Sequence, residues 1–177
     1  MPKTNGIRMK KFASSDLCAV KKLIRRTINT CYSPVYPREV INYFHDYHDN
    51  ENILKDAKEG YTIVVKSNNR LIGTGTIVGN HIWRVFINPT FQKQGFGKLI
   101  MQKLEAKAIS NKISLVELNA SLPSKKFYDA LGYTTAEKTF LKVENDKKLN
   151  YYKMKKSLIK NSGRGNSGPL RSGEKDK

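Results

Sequence analysis

Cysteine, acidic residues and long apolar runs are all scarce in this chain of 177 residues. The two cysteines, Cys18 and Cys31, provide no disulfide framework, which favours a reduced, cytoplasmic protein. No apolar run approaches the ~20 residues that a membrane-spanning helix needs. The start of the sequence contains no apolar stretch typical of a secretory signal. The sequence therefore predicts neither a membrane protein nor a secreted one.

The scarcity of acidic residues leaves a large positive charge. Asp and Glu number 15 against 33 Lys and Arg, which gives a net charge of +18. Such a charge attracts anions, including nucleic acid and polyphosphate cofactors, and it repels polyamines and lysine-rich tails. Any nucleic-acid association is expected to be weak, since we find no helix-turn-helix, zinc-finger or aromatic-rich RNA-binding motif. A basic, solvated surface without a partner is the alternative.

The hydrophobic pattern predicts an α+β fold. Helical spacing of apolar residues predicts helices that begin near residue 15, over 38–58, after residue 97 and over 124–131. Strand patterns are found at 7–12, 61–66, 71–78, 81–88, 113–120, 135–143 and 151–155. Short turns make the early strands antiparallel, whereas the helix after residue 97 makes a right-handed crossover to a parallel neighbour. We expect a mixed sheet of about seven strands flanked by about four helices.

The composition also predicts where the domain ends. Residues 1–159 form one predicted domain, of a size that can bury a single core. From residue 160 onwards the sequence lacks aromatic and β-branched residues and is rich in Gly, Ser, Lys and Arg. Such a composition cannot offset its ordering entropy. We therefore predict a disordered, basic and polar tail over 160–177.

A loop with two glycines joins the predicted strand 81–88 to the next helix. Its sequence is Gln92-Lys93-Gln94-Gly95-Phe96-Gly97. Glycines allow successive backbone N–H groups to approach an anion, and the helix that follows adds free N–H groups and the positive end of its dipole. The pattern predicts a phosphate-binding loop, for which a pyrophosphate is the natural ligand. A plain strand-to-helix turn is the alternative.

A dinucleotide-binding Rossmann unit does not fit these glycines. An acidic residue, Glu117, does lie twenty residues after Gly97, but Ile100 occupies the position of the third glycine, and only one βαβ unit is predicted. A second glycine run, Gly73 to Gly79, lies within a predicted hairpin strand that no helix follows. We interpret that run as strand and turn.

The loop resembles the signature of the Gcn5-related N-acetyltransferases (GNAT). Gln92-x-x-Gly95-x-Gly97 matches their Q/R-x-x-G-x-G/A pattern at the expected strand–helix junction. Downstream, LNASLPSKKFYDALGY (118–133) is similar to the second motif of the family, a strand followed by a helix that ends in F-Y-x-x-L-G-Y/F. The resemblance covers roughly residues 7–155. It implies transfer of an acetyl group from acetyl-coenzyme A (acetyl-CoA) to an amine.

The resemblance also implies where the cofactor binds. The pyrophosphate would lie against the backbone N–H groups that start at Gly95, with help from the Gln92 side chain. The strand before the loop would carry a bulge and diverge from the strand after the helix, so that pantetheine inserts between them. Ser121 stands where many members have Asn, and its shorter reach weakens that role. The implied cofactor contacts are Phe86, Ile87, Gln92, Gln94, Gly95, Phe96, Gly97, Lys98 and Ser121.

Two residues are candidates for catalysis. Tyr128 occupies the tyrosine position of the second motif, where a phenol with a pKa of about 10 can donate a proton to the leaving thiolate. Simple packing of the short helix is its alternative role. No carboxylate occurs from Asn80 to Lys103. His81, at the position of the glutamate base in the histone-acetylating branch, is thus a candidate base, with Glu117 or a relayed water as alternatives.

The sequence leaves other functions open. A non-catalytic acyl-CoA-binding module would keep the phosphate-binding loop but would not transfer the acyl group. His45 and His48 are three apart on a predicted helix, but two histidines without a third ligand predict no metal site. The resemblance places this segment beside the acceptor pocket and makes a homodimer a reasonable expectation. It does not identify the amine.

Overall fold

The computed structural model describes residues 6–159, and the predicted tail over 160–177 lies outside the described residues. This described part of the chain contains seven strands: β1 (Ile7–Lys11), β2 (Tyr61–Ser67), β3 (Arg70–Val78), β4 (His81–Ile87), β5 (Leu115–Ser121), β6 (Thr134–Lys142) and β7 (Lys148–Ser157). Five α-helices accompany them: α1 (Leu17–Cys31), α2 (Arg38–Tyr47), α3 (Asn50–Glu59), α4 (Phe96–Ser110) and α5 (Lys125–Ala130). Within residues 6–159, no helix combines the length and apolar character needed to cross a membrane.

All seven strands form one mixed sheet in the order β1-β2-β3-β4-β5-β7-β6. The first four strands pair antiparallel, β4 and β5 pair parallel, and β7 lies antiparallel between β5 and β6. The prediction of an α+β fold with a mixed sheet, antiparallel first and parallel in the middle, is confirmed.

Helices cover both faces of the sheet because its central strands are buried on both sides. In β2, Ile63 and Val65 belong to the core cluster that contains Ile100 and Leu104 of α4, whereas Val64 belongs to the cluster beneath the first three helices. Consecutive apolar residues are typical of a strand with two covered faces. The parallel strands β4 and β5 end at the same edge of the sheet. The loops that lead from them to α4 and α5 therefore both begin at that edge.

The single helix expected over 38–58 is two helices. His48 leaves the helical conformation, and Asp49 begins α3 by accepting a hydrogen bond from the Asn52 N–H at 2.8 Å. An aspartate side chain at this position satisfies a backbone donor that the new helix leaves free. Residues 6–159 therefore contain five α-helices rather than about four. The break turns His48 towards the interior, where it is 5% exposed.

A buried carboxylate fixes the first strand and the turn that follows it. Asp16 is 2% exposed and accepts a hydrogen bond from the Ala13 N–H at 3.0 Å. Its two oxygens pair with Lys10 at 2.5 Å and Lys66 at 2.8 Å. Burial raises the pKa of Asp16, but the bonds from these three groups outweigh burial and hold the pKa at about 2.

We expect Asp16→Asn to lower the free energy of unfolding by about 2 kcal/mol at pH 7. Folding lowers this pKa, so the stabilisation is complete above the reference value of 3.8 and disappears as the pH falls through about 2. Urea unfolding at pH 7 and at pH 2 measures the change. Asp129→Asn is the control, because it breaks a half-exposed ion pair with Lys125 and should cost less than about 0.5 kcal/mol. A difference that persists unchanged at pH 2 would contradict the assignment.

Candidate active site

Strand β4 carries a bulge at its centre. Thr76 of β3 pairs with Trp83, and Thr74 pairs with Phe86, so Gly75 alone stands opposite two residues of β4. The extra residue is accommodated by Arg84, which adopts a left-handed backbone conformation with φ at 49°. A bulge increases twist and bends its strand. It therefore turns the second half of β4 away from its neighbour β5.

The side chain of Arg84 holds this bulge against the helices. Its guanidinium group forms an ion pair with Asp56 of α3 and donates to the Tyr47 carbonyl at 3.4 Å. It also lies over the Tyr47 ring, 5.6 Å from the ring centre. Arg84 is only 7% exposed, and a charge that is buried so far needs an opposite charge beside it. The bulge thus depends on contacts with α2 and α3 that are distant in sequence.

Strands β4 and β5 diverge beyond the bulge. They pair only at His81 with Glu117 and at Ile82 with Leu118, although both strands continue for several residues. Two cavities flank the divergence, and Tyr32, Val85, Phe86 and Ser124 line both. The bulge and the divergence that the resemblance implied are therefore present, and they bring the two cavities into contact.

The larger cavity, which we name the loop cleft, has a volume of about 570 Å³. It is bordered by the end of α1, the second half of β4, the 92–98 loop and α5. Of the predicted cofactor contacts, those that line it are Phe86, Ile87, Gln92, Gly95, Gly97 and Lys98. Lys93 and Lys98 give the cleft a positive charge, and no carboxylate in the described part of the chain lines it.

The floor of the loop cleft is the first turn of α4. Gly95 precedes the helix with φ at 89°, a conformation that glycine adopts without steric cost. The first helical hydrogen bond of α4 is donated by the Leu99 N–H to the Gly95 carbonyl at 3.0 Å. The N–H groups of Phe96, Gly97 and Lys98 are therefore free of helical partners, and the helix dipole adds positive potential there. These free donors and this potential suit an anion.

The close approach of α5 to the start of α4 requires a glycine at position 97. A Cβ atom added at this position would lie 2.9 Å from the Phe127 ring, closer than side chains pack. Phe127 is the residue before Tyr128 in α5, so the absence of a side chain at 97 lets α5 approach the first turn of α4. The two predicted motifs meet at this contact.

The Gln92 side chain braces the loop. Its amide donates to the Ile87 carbonyl at 3.1 Å and to the Cys31 sulfur at 3.5 Å. The amide thus ties the loop to the end of β4 and to α1. The Gln94 side chain bonds to the Thr90 carbonyl outside the cleft, and the Phe96 side chain is buried in the core. At these two positions only the backbone can serve a ligand.

The second cavity has a volume of about 220 Å³, and we name it the aromatic pocket. It lies between α2, β4, β5 and β7. Nine of the side chains that line it carry rings: Tyr32, Tyr43, Phe44, Tyr47, His48, Trp83, Phe86, Tyr128 and Tyr151. Ser121 also lines it, with its hydroxyl 2.8 Å from that of Ser124. Two residues predicted from the second motif, Ser121 and Tyr128, thus belong to this pocket rather than to the loop cleft.

Burial sets the acidity of the tyrosines at the junction of the cavities. Tyr128 is 7% exposed, and desolvation raises the pKa of its hydroxyl well above the ordinary value of 10.0. Desolvation likewise raises the pKa of Tyr32 to about 12. Both hydroxyls stay protonated at neutral pH. They can donate hydrogen bonds to a charge that develops beside them.

His81 does not reach either cavity. It begins β4 beside its pairing partner Glu117, before the two strands diverge, and its ring packs against Trp83 with centres 3.9 Å apart. Burial lowers the pKa of His81. Both predicted base candidates, His81 and Glu117, therefore lie at the closed end of the strand pair. His45 bonds to Asn29, while His48 lines the aromatic pocket, so the two histidines separate.

Comparison with known proteins identifies the family. The family model described as "Acetyltransferase (GNAT) domain" matches residues 32–158, more than half of the chain. The chain belongs to the GNAT family. This confirms the resemblance predicted from the loop and from the second motif. A curated relative, the chloroplastic GCN5-related N-acetyltransferase 2 of Arabidopsis thaliana, is 30% identical over 83 residues. That match covers 44% of this chain and 32% of the relative, so the chain spans about a third of its length.

Solved GNAT structures share the fold at low sequence identity. A GCN5-related N-acetyltransferase from Rhodopseudomonas palustris superposes with a TM-score of 0.78 at 16% identity, over 85% of this chain and 94% of that one. The PaiA N-acetyltransferase of Thermoplasma acidophilum, solved with coenzyme A, gives 0.66 at 16% identity, over 85% and 98%. The yncA protein of Salmonella typhimurium, solved with acetyl-CoA, gives 0.67 at 13% identity, over 89% and 96%.

Three features of this GNAT domain were not predicted from the sequence. Arg84 and Asp56 are 28 residues apart and gave no signal that they pair. Lys93 lies within the signature, between Gln92 and Gly95, where its charge beside the predicted phosphate-binding loop is a signal that it lines the cleft. The resemblance places the segment of His48 beside the acceptor pocket, but it does not predict that the helix breaks at Asp49 and that His48 turns inward.

Proposed function

We propose that this GNAT protein transfers the acetyl group of acetyl-CoA to a primary amine by direct attack of the amine on the thioester. The observation that supports this most strongly is the meeting of the two cavities at the diverging strands. One cavity offers an anion site at a helix N-terminus, and the other offers buried tyrosine hydroxyls. A reaction between a polyanionic donor and a second substrate requires such a pair of connected sites.

The loop cleft would hold the cofactor. In the proposal, the N–H groups from Gly95 to Lys98 bind the pyrophosphate, and the charges of Lys93 and Lys98 add attraction. Phe86 and Ile87 line the cleft on the part of β4 that diverges from β5, where pantetheine would lie. Gln92 would act by holding the loop in shape. The solved relatives with coenzyme A and acetyl-CoA lend support, because they share this fold.

The chemistry would take place at the junction of the cavities. The amine nitrogen attacks the thioester carbon, the carbon–sulfur bond breaks, and the amine loses one proton while the thiolate gains one. Tyr128 would donate a hydrogen bond to the departing sulfur. Its raised pKa exceeds that of a thiol, about 8.5, so the tyrosine stabilises the thiolate without losing its own proton for long. Since His81 and Glu117 lie elsewhere, we propose that the amine proton leaves through water.

Calorimetry and a thiol-release assay test the proposal together. Acetyl-CoA should bind with one-to-one stoichiometry, and a rise from 50 to 500 mM NaCl should weaken binding several-fold because charges are screened. Free thiol should then appear only when a primary amine is added, with one acetylated amine per thiol. Absence of binding at either salt concentration would overturn the proposal. Binding without amine-dependent thiol release would instead favour the non-catalytic acyl-CoA-binding module.

A further inference from the structure

We propose that the aromatic pocket selects a small primary amine carried on a planar aromatic group, with no second charged group. This inference rests on the proposed acetyl transfer and names the class of acceptor. It is carried by three properties of the pocket: the arrangement of its rings, its lack of negative charge, and its size.

The rings of the pocket hold one another in fixed orientations. Tyr43 and Tyr47 are stacked, with centres 6.0 Å apart and planes at 16°. Trp83 packs on Tyr47 at 6.3 Å. Fixed flat faces and edges favour a ligand that is itself flat, because aromatic pairs gain more than their buried area when they stack or meet edge to face. An aliphatic group of the same size would not gain this additional interaction energy.

The charge of the pocket argues against a second ammonium group. Among residues 6–159, no Asp or Glu lines the pocket, and its one guanidinium, that of Arg84, is directed to Asp56. His48 is uncharged: burial, with the nearby charge of Arg84, lowers its pKa to about 3. A second cation would therefore lie in a desolvated site without a counter-charge. The same desolvation lowers the pKa of the reacting amine and favours its nucleophilic, neutral form.

The size of the pocket limits what can enter. Its volume of about 220 Å³ is below the roughly 300 Å³ at which sites for drug-sized ligands begin. A single substituted ring fills such a space. The shared wall of Tyr32, Val85 and Phe86 leads from the pocket to the loop cleft, so an amine on a short linker would point towards the thioester.

The test compares amines that differ in one property. 2-Phenylethylamine and 2-cyclohexylethylamine share the linker and the amine but differ in planarity. 4-(Aminomethyl)phenethylamine adds a second ammonium group to the aromatic amine, and spermidine is a polycation without a ring. We expect kcat/KM for 2-phenylethylamine to exceed that for the cyclohexyl compound about tenfold, and to exceed those of the diamine and spermidine by at least about tenfold. Since aromatic faces also attract cations, a faster reaction with the diamine or spermidine would overturn the inference.

Two neighbouring tyrosines of β7 provide a matched pair of variants. Tyr151 lines the aromatic pocket, whereas Tyr152 faces the other side of the sheet and packs against the cluster under α4. Tyr151→Leu should reduce the preference for phenyl over cyclohexyl several-fold, and Tyr152→Leu should retain it. Circular dichroism would confirm that both variants are folded. An unchanged preference in both folded variants would contradict recognition of the ring by the aromatic pocket.

Acetyl-CoA binding, measured by calorimetry on each protein, separates two kinds of failure. If acetyl-CoA does not bind, or binds without transfer to any amine, the proposed function fails and the inference fails with it. If transfer occurs but spermidine, the diamine or the cyclohexyl compound is the best acceptor, the inference fails alone.

Discussion

Replacement of Gly95 by aspartate is expected to weaken acetyl-CoA binding by at least about 100-fold. The new carboxylate would stand at the free N–H groups of α4, where the pyrophosphate is proposed to lie. Two unit charges about 5 Å apart repel each other by about 3 kcal/mol at an effective dielectric constant near 20. In addition, Gly95 has φ at 89°, a conformation that costs an L-residue roughly 1–2 kcal/mol. Calorimetry with acetyl-CoA measures the loss directly.

Gly79→Asp is the matched control for this variant. Gly79 also has a positive φ, of 57°, and a Cβ added there meets no atom within 4 Å. It lies in the turn between β3 and β4, at the opposite end of β4 from the loop cleft. The control therefore introduces the same charge into a similar backbone conformation and should leave the dissociation constant within about twofold. Gly95→Ala, which introduces strain without charge, should fall between the two.

Wild-type affinity in the Gly95→Asp protein would place the anion elsewhere. The positive cleft could then attract acetyl-CoA through its lysines alone, and Lys98→Gln would be the variant that weakens binding. Equal loss in both aspartate variants would instead indicate that the total charge, rather than the position of one carboxylate, controls affinity.

The conformation of the glycine loop before α4 could be predicted from the sequence because its determinants are local. A glycine with positive φ, a second glycine where two helices approach, and a strand-to-helix junction all lie within a few residues of each other. The same holds for the order of elements and for the parallel crossover between β4 and β5. The position of Tyr128 could likewise be predicted from a local motif, since its helix follows closely after β5.

The arrangement around these motifs depends on tertiary contacts that the sequence does not reveal. The pairing of Arg84 with Asp56 joins a strand bulge to a helix that precedes it by 28 residues. The resemblance makes His81 a candidate base through its position along the sequence alone. Spacing does not show how far along β4 the strands stay paired, and His81 lies in the paired part. Similarly, the resemblance makes Ser121 a cofactor contact, whereas the residue lines the aromatic pocket and its hydroxyl lies 2.8 Å from that of Ser124.

Tyr128→Phe is expected to lower kcat about 100-fold while leaving acetyl-CoA affinity unchanged. The hydroxyl is proposed to donate to the departing sulfur, a contact that strengthens only as negative charge develops. Affinity should persist because Tyr128 lines the aromatic pocket and not the loop cleft. Because burial raises its pKa, ionisation of Tyr128 should not reduce wild-type kcat at any pH below the ordinary tyrosine value of 10.0. Steady-state kinetics from pH 6 to 10, with calorimetry on both proteins, measures these effects.

Tyr133→Phe separates catalysis from the loss of a buried hydroxyl. Tyr133 packs against Tyr128 with ring centres 5.8 Å apart, but its hydroxyl donates to Glu105 at 3.0 Å, away from both cavities. We expect this variant to lose about 1 kcal/mol of stability and to keep its kcat. A similar loss of kcat in both variants would mean that Tyr128 acts by packing α5 against α4. Full activity in Tyr128→Phe would mean that water protonates the thiolate, and the buried tyrosine would then serve only to shape the junction at which the two substrates meet.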